Sequence, residues 1–164
     1  MIDEGKEDLN ILHAMIEPPK VVDKKPVRCL DKYHKLMSIG HIPNAKVYPL
    51  IPYGTMESGL SLTAPSEDQF RQIARDIDLR VDDTFICYDA NIVHAGARLA
   101  WILKAFGAKK VHVLNGTLEK WVKEKNEQSV GEYIPENQNV IRSAEAKESD
   151  YDFKLNPEIL YNYE

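Results

Sequence analysis

The feature that most constrains the fold is an alternation of strand-like and helix-like runs in the second half of the chain. TFICY and KKVHVL are rich in residues that favour β-structure, and each is followed by a segment whose apolar residues recur at helical spacing. Parallel strands need long crossover connections, which a helix usually supplies. We therefore expect an α/β fold in which a central, mostly parallel sheet is flanked by helices on both faces.

Local signals set the expected limits of several elements. Ser66 and Gln69 have the spacing of a capping box, so a helix is expected to begin after Ser66. The helix that follows TFICY is expected to stop at Gly107. Upstream, the small and apolar residues of 27–30 and the run AKVYPLI predict two further strands, and the composition of 52–65 predicts a loop.

The length of 164 residues fits one domain of ordinary size. We place that domain at residues 27–125, preceded by an acidic, polar N-terminal arm (1–26) and followed by a polar C-terminal extension (126–164). Within this extension PENQNV and SAEAKESD resemble a linker, whereas YDFKLNPEILYNY regains apolar character. The formal net charge of −5 argues against a nucleic-acid partner, and no apolar run reaches membrane-spanning length.

The two cysteines, Cys29 and Cys87, lie in apolar runs and lack the spacing of metal ligands. Neither a disulfide framework nor a metal site is therefore expected, and no cofactor motif is present in the sequence. This use of cysteine favours an intracellular, reducing compartment.

Three stretches resemble the motifs of the rhodanese family, in the family's order. LDKYHKLMSIGHIPNAKVYPL (30–50) resembles the first signature, which contains Gly-His-Ile-Pro-Gly-Ala, and VHVLNGTLEKW (111–121) resembles the second. YDANIVHAGARLAWILKAFG (88–107) is similar to the strand, active loop and helix that lie between them. The resemblance covers residues 27–125 and implies the rhodanese-like fold.

Within this family the chain is most similar to the N-terminal, non-catalytic domain of thiosulfate and 3-mercaptopyruvate sulfurtransferases. The Tyr-Asp strand end, the Ala-Arg-x-x-Trp helix start and the Val-x-Val-Leu-Asn-Gly strand carry this closer likeness. Asn44 and Thr117 stand where the family has glycine, so the backbone is expected to depart from the family's at both positions.

The resemblance implies that Asp89 occupies the position of the catalytic cysteine. Sulfur transfer needs a soft thiolate that takes up sulfur as a persulfide, and a carboxylate cannot form one. We expect Asp89 to fill the cradle of backbone N–H groups itself, and we assign no catalytic residue. The degenerate loop consists of Asp89, Ala90, Asn91, Ile92, Val93 and His94.

Three residues, Arg98, Asp31 and His41, are candidates for ordering this loop. The resemblance implies that Arg98 pairs with Asp89 or with Asp31, and an exposed surface arginine is the alternative. His41 is expected to bond backbone groups near Asp31 and to fix the turn that follows it. Cys87, two residues before Asp89, is read as a small buried hydrophobe, and a redox role for it is the alternative.

Two functions follow from these observations. The first is a catalytically inactive rhodanese-like domain that serves as a structural or interaction subunit and contacts other proteins through residues 1–26 and 131–164. The second is the non-catalytic half of a thiosulfate/3-mercaptopyruvate sulfurtransferase, whose catalytic domain is a separate chain or lies outside this sequence. The resemblance favours mitochondria as the compartment, with the cytoplasm as the alternative.

Overall fold

The computed structural model describes residues 9–16, 20–22, 25–27, 30–50, 63–131 and 147–159. Two 3-10 turns, Glu148–Tyr151 and Pro157–Ile159, follow the last helix. The strands and helices run in the order β1 (Leu9–Met15), β2 (Lys20–Val22), β3 (Lys25–Val27), α1 (Leu30–Ile39), β4 (Ala45–Pro49), α2 (Glu67–Asp76), β5 (Thr84–Tyr88), α3 (His94–Ala105), β6 (Lys110–Val113) and α4 (Leu118–Lys123).

A four-stranded sheet organises the molecule, with the strand order β4-β1-β5-β6. All three of its strand pairs are parallel, whereas β2 and β3 form a separate antiparallel pair. The chain runs outward from β1 to β4 on one side and from β5 to β6 on the other. The adjacent strands β1 and β5 therefore form the topological switch point of the sheet. The expected parallel α/β sheet is confirmed.

Side chains alternate between two hydrophobic clusters, one on each face of the sheet. On β1, Leu12 and Ala14 join a cluster built with α2 and α3, whereas Ile11 and Met15 join a cluster with α1. The partly buried Leu118 and Trp121 of α4 pack against the second cluster. Helices therefore cover both faces, as predicted.

The strand β1 lies in the region that the sequence predicts to be an N-terminal arm. In the structure it pairs with both β4 and β5, and residues 10–15 are buried. A strand buried on both faces loses the polar–apolar alternation that marks a half-exposed strand, so its pattern is weak. The limit at residue 27 therefore leaves out a central strand of the sheet, and Leu9–Met15 belongs to the domain rather than to an arm.

The predicted strand at 27–30 is also wrong at its C-terminal end. β3 ends at Val27, Leu30 opens α1, and residues 28–29, which include Cys29, lie outside the described residues. Periodicity alone cannot distinguish a short apolar strand from the start of a helix. The strand in AKVYPLI is confirmed as β4, and most of the predicted loop at 52–65 lies outside the described residues.

The capping box of α2 is confirmed, because the Ser66 hydroxyl accepts from Gln69 N and the Gln69 side chain accepts from Ser66 N. Asn44 adopts a φ of 61°, a left-handed conformation that asparagine tolerates better than most residues. Thr117, by contrast, is extended and caps α4. The expected departure from a glycine-like backbone therefore occurs at Thr117 and is absent at Asn44.

The last described segment, residues 147–159, packs against the domain. Phe153 is buried and meets Phe70 edge to face at 5.0 Å. The Tyr151 hydroxyl donates to the buried Asp78 carboxylate over 2.8 Å. The aromatic side chains of this segment therefore belong to the core, because they bury apolar area, and the predicted partner contact through residues 131–164 stays a prediction.

Candidate functional site

The candidate site lies at the carboxyl ends of β1 and β5. In parallel α/β sheets this edge forms a crevice at the switch point, since the connections leave in opposite directions there. Asp89 follows β5 directly, and His13 of β1 is in register with Tyr88 of β5. The topology therefore brings Asp89 and His13 together from distant parts of the sequence.

The carboxylate of Asp89 is buried and fully engaged with backbone donors. Its Oδ1 accepts from Ile92 N at 3.1 Å and from Val93 N at 2.8 Å, and its Oδ2 accepts from Gly96 N at 3.0 Å. These donors belong to the loop and the first turn of α3, where the helix dipole favours a negative charge. Asp89 is thus the anion that occupies this cradle of N–H groups.

Two backbone features shape the cradle. Val93 precedes α3 with a φ of 65°, a left-handed conformation that is costly for a β-branched residue. Gly96 allows α3 to pack closely on β5. A methyl group added at Gly96 would lie only 3.1 Å from Tyr88 Cα. The carbonyls of Asp89 and Ala90 accept from Leu118 N and Glu119 N, so the loop also holds the start of α4.

His13 is a site residue that the sequence reasoning missed. Its ring stacks on Tyr88 with centroids 4.5 Å apart and is only 4% exposed. Burial lowers the pKa of His13 to about 4, although the nearby Asp89 charge acts in the opposite direction. Its Nδ1 atom has no hydrogen-bond partner within the described parts of the chain. A histidine inside the apolar run LNILHAM was the available signal.

A cavity of about 420 Å³ opens beside these two residues. Its polar lining includes His13, Asp89, Asn91 and Gln128. Most of the remaining wall is apolar and comes from the end of β1, from α1, from the Asp89 loop and from α4. That apolar wall includes Met15, Ile16, Leu36, Ile39, Ile92 and Leu118.

Arg98 is the first candidate for ordering the loop, and one of its alternatives predicts a pair with Asp89. No ion pair between Arg98 and Asp89 occurs in the described structure, and Arg98 instead lies over the Trp101 ring at 5.3 Å. Burial lowers the pKa of Arg98. The side chain of Asp31 lies outside the described residues, so the pairing of Arg98 with Asp31 stays a prediction.

His41 holds the end of α1, and its predicted bond to groups near Asp31 stays a prediction. Its Nδ1–H donates to the Met37 carbonyl over 2.8 Å, which assigns the proton to Nδ1 because a carbonyl only accepts. The backbone of His41 also exchanges two hydrogen bonds with Ser129. His41 therefore ties the turn before β4 to the segment that follows α4.

Cys87 is inaccessible in this structure. Its side chain is buried, and burial raises the pKa of the thiol to about 12. A nucleophilic thiol needs both access and ionisation, and Cys87 has neither. Within the described ranges no cluster of His, Cys, Asp and Glu is arranged to hold a metal ion, and no helix is long and apolar enough to cross a membrane.

Part of the chain is similar in sequence to named sulfurtransferases. The chain is 31% identical over 83 residues to thiosulfate/3-mercaptopyruvate sulfurtransferase 2 of Arabidopsis thaliana, covering 51% of this chain and 24% of the relative. It is 29% identical over 114 residues to the mitochondrial sulfurtransferase 1 of that plant, covering 67% and 30%. The matches thus span about a quarter to a third of these relatives' length.

Solved structures share the fold. SseA from Escherichia coli, described as a 3-mercaptopyruvate sulfotransferase, superposes with a TM-score of 0.59 at 22% identity, over 77% of this chain and 46% of that one. The sub-stoichiometric sulfur transferase subunit of yeast mitochondrial complex I gives a TM-score of 0.56 at 24% identity, over 72% and 36%. The profile of the rhodanese-like domain matches residues 9–124, and the chain belongs to this family.

Proposed function

We propose that this chain is a catalytically inactive rhodanese-like domain that serves as a structural or interaction subunit of a larger assembly. The observation that carries the proposal is the buried carboxylate of Asp89, which occupies the N–H cradle. The resemblance to the family implies that this is the position of the catalytic cysteine. The cradle therefore already contains its anion, and among the described residues no soft nucleophile lies beside it.

Neither chemical route to sulfur transfer is supported by the residues around the loop. The Asp89 oxygens are hard and each already accepts from the backbone, so they are poorly suited to attack a sulfane sulfur. The charge of the buried Asp89 also opposes the approach of an anionic sulfur donor. Cys87 of β5 is buried in the hydrophobic core and cannot replace the missing thiol.

An exposed apolar rim supports the interaction role. Ile39 is 72% exposed and Ile92 is 54% exposed, and both line the cavity beside Asp89. The half-exposed Ile16 lies on the same rim. Clustered apolar side chains at the surface are typical of protein contacts, and the similarity to a subunit of yeast mitochondrial complex I agrees with such a role.

The second candidate function is the non-catalytic half of a thiosulfate/3-mercaptopyruvate sulfurtransferase. The short coverage of the named sulfurtransferases favours it, since most of each relative has no counterpart in the match. In this case the rim would face a cysteine-bearing rhodanese domain. A mitochondrial location is proposed for both functions, because one of the relatives is a mitochondrial enzyme, and the cytoplasm is the alternative.

The direct test is cyanide-dependent thiocyanate formation by the purified chain, with thiosulfate or 3-mercaptopyruvate as donor. We expect no turnover above a buffer blank, and turnover by the chain alone would refute the proposal. The Asp89→Cys variant, made in a Cys29→Ser background, is a matched probe of the cradle: the introduced thiol should react with iodoacetamide, while the buried Cys87 serves as an internal unreactive control.

Two further measurements separate the candidates. Activity that appears only after a cysteine-bearing rhodanese domain is added would favour the sulfurtransferase half. Migration of the native protein in a complex without sulfurtransferase activity would favour the structural subunit. In either case an Ile39→Glu, Ile92→Glu double variant should lose the association, whereas Lys109→Glu, at an exposed position after α3, should retain it.

A further inference from the structure

We propose that the cavity beside His13 is a binding site for a small, uncharged, mainly apolar molecule that carries one hydroxyl group. The hydroxyl would bond the imidazole of His13, and the apolar body would lie against the wall formed by β1, α1 and the Asp89 loop. This inference goes beyond the proposed function and needs neither an assembly nor catalysis, although Ile16, Ile39 and Ile92 of the proposed contact rim also line the cavity.

The position of the cavity is the first argument. It lies at the carboxyl edge of the sheet and at the switch point between β1 and β5, where open α/β sheets bind their ligands. Its volume of about 420 Å³ falls within the range of small-molecule sites. A site of this kind is mostly apolar and has a few polar groups that orient the ligand, which describes this lining.

The unused hydrogen-bonding capacity of His13 is the second, independent argument. The ring is 4% exposed and lines the cavity, and its Nδ1 has no partner among the described residues. Buried polar atoms are nearly always bonded, so one that is not asks for an explanation. A ligand hydroxyl can either donate or accept and therefore suits both tautomers of a neutral imidazole.

The charges around the cavity determine which ligands are excluded. Asp89 is the charged side chain among the described residues of the lining, and its three backbone bonds keep it in place. Among the lining residues that the structure describes, no cation would compensate this charge for a bound anion. Burial keeps His13 neutral near pH 7, with a pKa of about 4, so the imidazole does not attract anions either. An uncharged ligand avoids both penalties.

The experiment compares three single-ring probes with the full chain at pH 7 by NMR titration. Phenol carries the hydroxyl, toluene has the same size without it, and benzoate carries a negative charge. We expect phenol to bind roughly five- to tenfold more tightly than toluene, which corresponds to one buried hydrogen bond. Benzoate should bind at least about tenfold more weakly than phenol. The His13 ring nitrogens and the amides of Ala90 and Ile92 should shift with phenol.

Two variants make the result specific. His13→Phe keeps an aromatic ring on Tyr88 and removes the nitrogens, so phenol and toluene should then bind equally. Ala90→Phe places a ring at an exposed position of the lining and should weaken all probes, which keeps the test valid if His13→Phe does not fold. Equal binding of phenol and benzoate to the native chain would overturn the proposal, as would no binding of phenol, or shifts remote from the cavity.

Discussion

At the scale of single residues, position 89 decides the chemistry of this domain. A carboxylate and a thiolate are both anions, and both suit a cradle of N–H groups at a helix start. They differ in softness, which is the property that sulfur transfer requires. Asp89 therefore fills the cradle with an anion, and under the proposed function its hard oxygens are the reason that sulfur transfer is absent.

Replacing Asp89 with asparagine should destabilise the domain. The amide group has one acceptor oxygen, so its NH₂ must face either Gly96 N–H or the pair from Ile92 and Val93. We expect a loss of about 2 to 3 kcal/mol in the free energy of unfolding, measured by urea denaturation. Asp82→Asn, at an exposed position, is the control. Equal stability of the Asp89 variant and the native chain would show that the cradle needs no anion.

The histidine at position 13 should make stability depend on pH in a defined window. Its pKa is about 4 in the folded chain and 6.5 without burial, so the unfolded chain takes up the proton first as the pH falls. The contribution of His13 to the free energy of unfolding is fully present above about pH 6.5. It falls by about 3 kcal/mol as the pH decreases to about 4. His13→Phe should remove this slope, and His112→Phe should leave it unchanged. A slope that persists in His13→Phe would assign it to other groups.

At the scale of elements, the contact between β5 and α3 sets the geometry of the site. Gly96 serves twice, because its N–H donates to Asp89 and its missing side chain lets α3 approach Tyr88. The left-handed Val93 turns the chain into the helix so that successive N–H groups point at one carboxylate. The cradle is thus a property of the strand–loop–helix unit rather than of any one residue.

Gly96→Ala should perturb this unit. The added methyl would lie 3.1 Å from Tyr88 Cα and 3.2 Å from its carbonyl carbon, and backbone atoms in a central strand cannot yield easily. The overpacking should outweigh the gain in helix propensity, with a net loss of about 1 kcal/mol in unfolding free energy. Amide hydrogen exchange at residue 96 should also accelerate. Ala97→Ser, at an exposed position of the same turn, is the matched control, and a stabilised Gly96→Ala variant would contradict this packing.

At the scale of the whole molecule, the domain is closed by segments from both ends of the described chain. From the N-terminal end, β1 supplies a central strand. From the C-terminal end, residues 147–159 pack against α2. Lys154 N and Asn156 N donate to the carbonyls of Phe106 and Ala105, which joins the segment to the end of α3. The polar composition of the C-terminal extension gives little indication that residues 147–159 are a structural part of the domain.

Phe153→Ala tests whether the C-terminal segment belongs to the core. Phe153 is fully buried against Phe70, which in turn stacks on Phe106 at 4.1 Å. We expect a loss of about 3 kcal/mol or more in the free energy of unfolding. Lys154→Ala, whose side chain is 71% exposed, should change stability by less than about 0.5 kcal/mol. Similar stabilities for the two variants would return this segment to the role of a linker.

Local signals in the sequence therefore predicted much of the fold and part of the site. The capping box at Ser66, the strand before Asp89 and the glycine after α3 were predictable because each depends on neighbours a few residues away. The strand β1 was not, because a central strand has no polar face to mark it. The contacts of Arg98 and His41 could not be predicted, because they depend on which groups the folded chain brings close to these side chains.

The sequence by itself determined the class of the fold and the absence of a thiol at position 89, since the order of strands and helices and the identity of one residue are local facts. Tertiary structure alone decided that His13 lies beside Asp89, that both line one cavity, and that Phe153 is part of the core. The physical reason is that these contacts join segments far apart in the chain. Their free energy comes from burial, which no single stretch of sequence records.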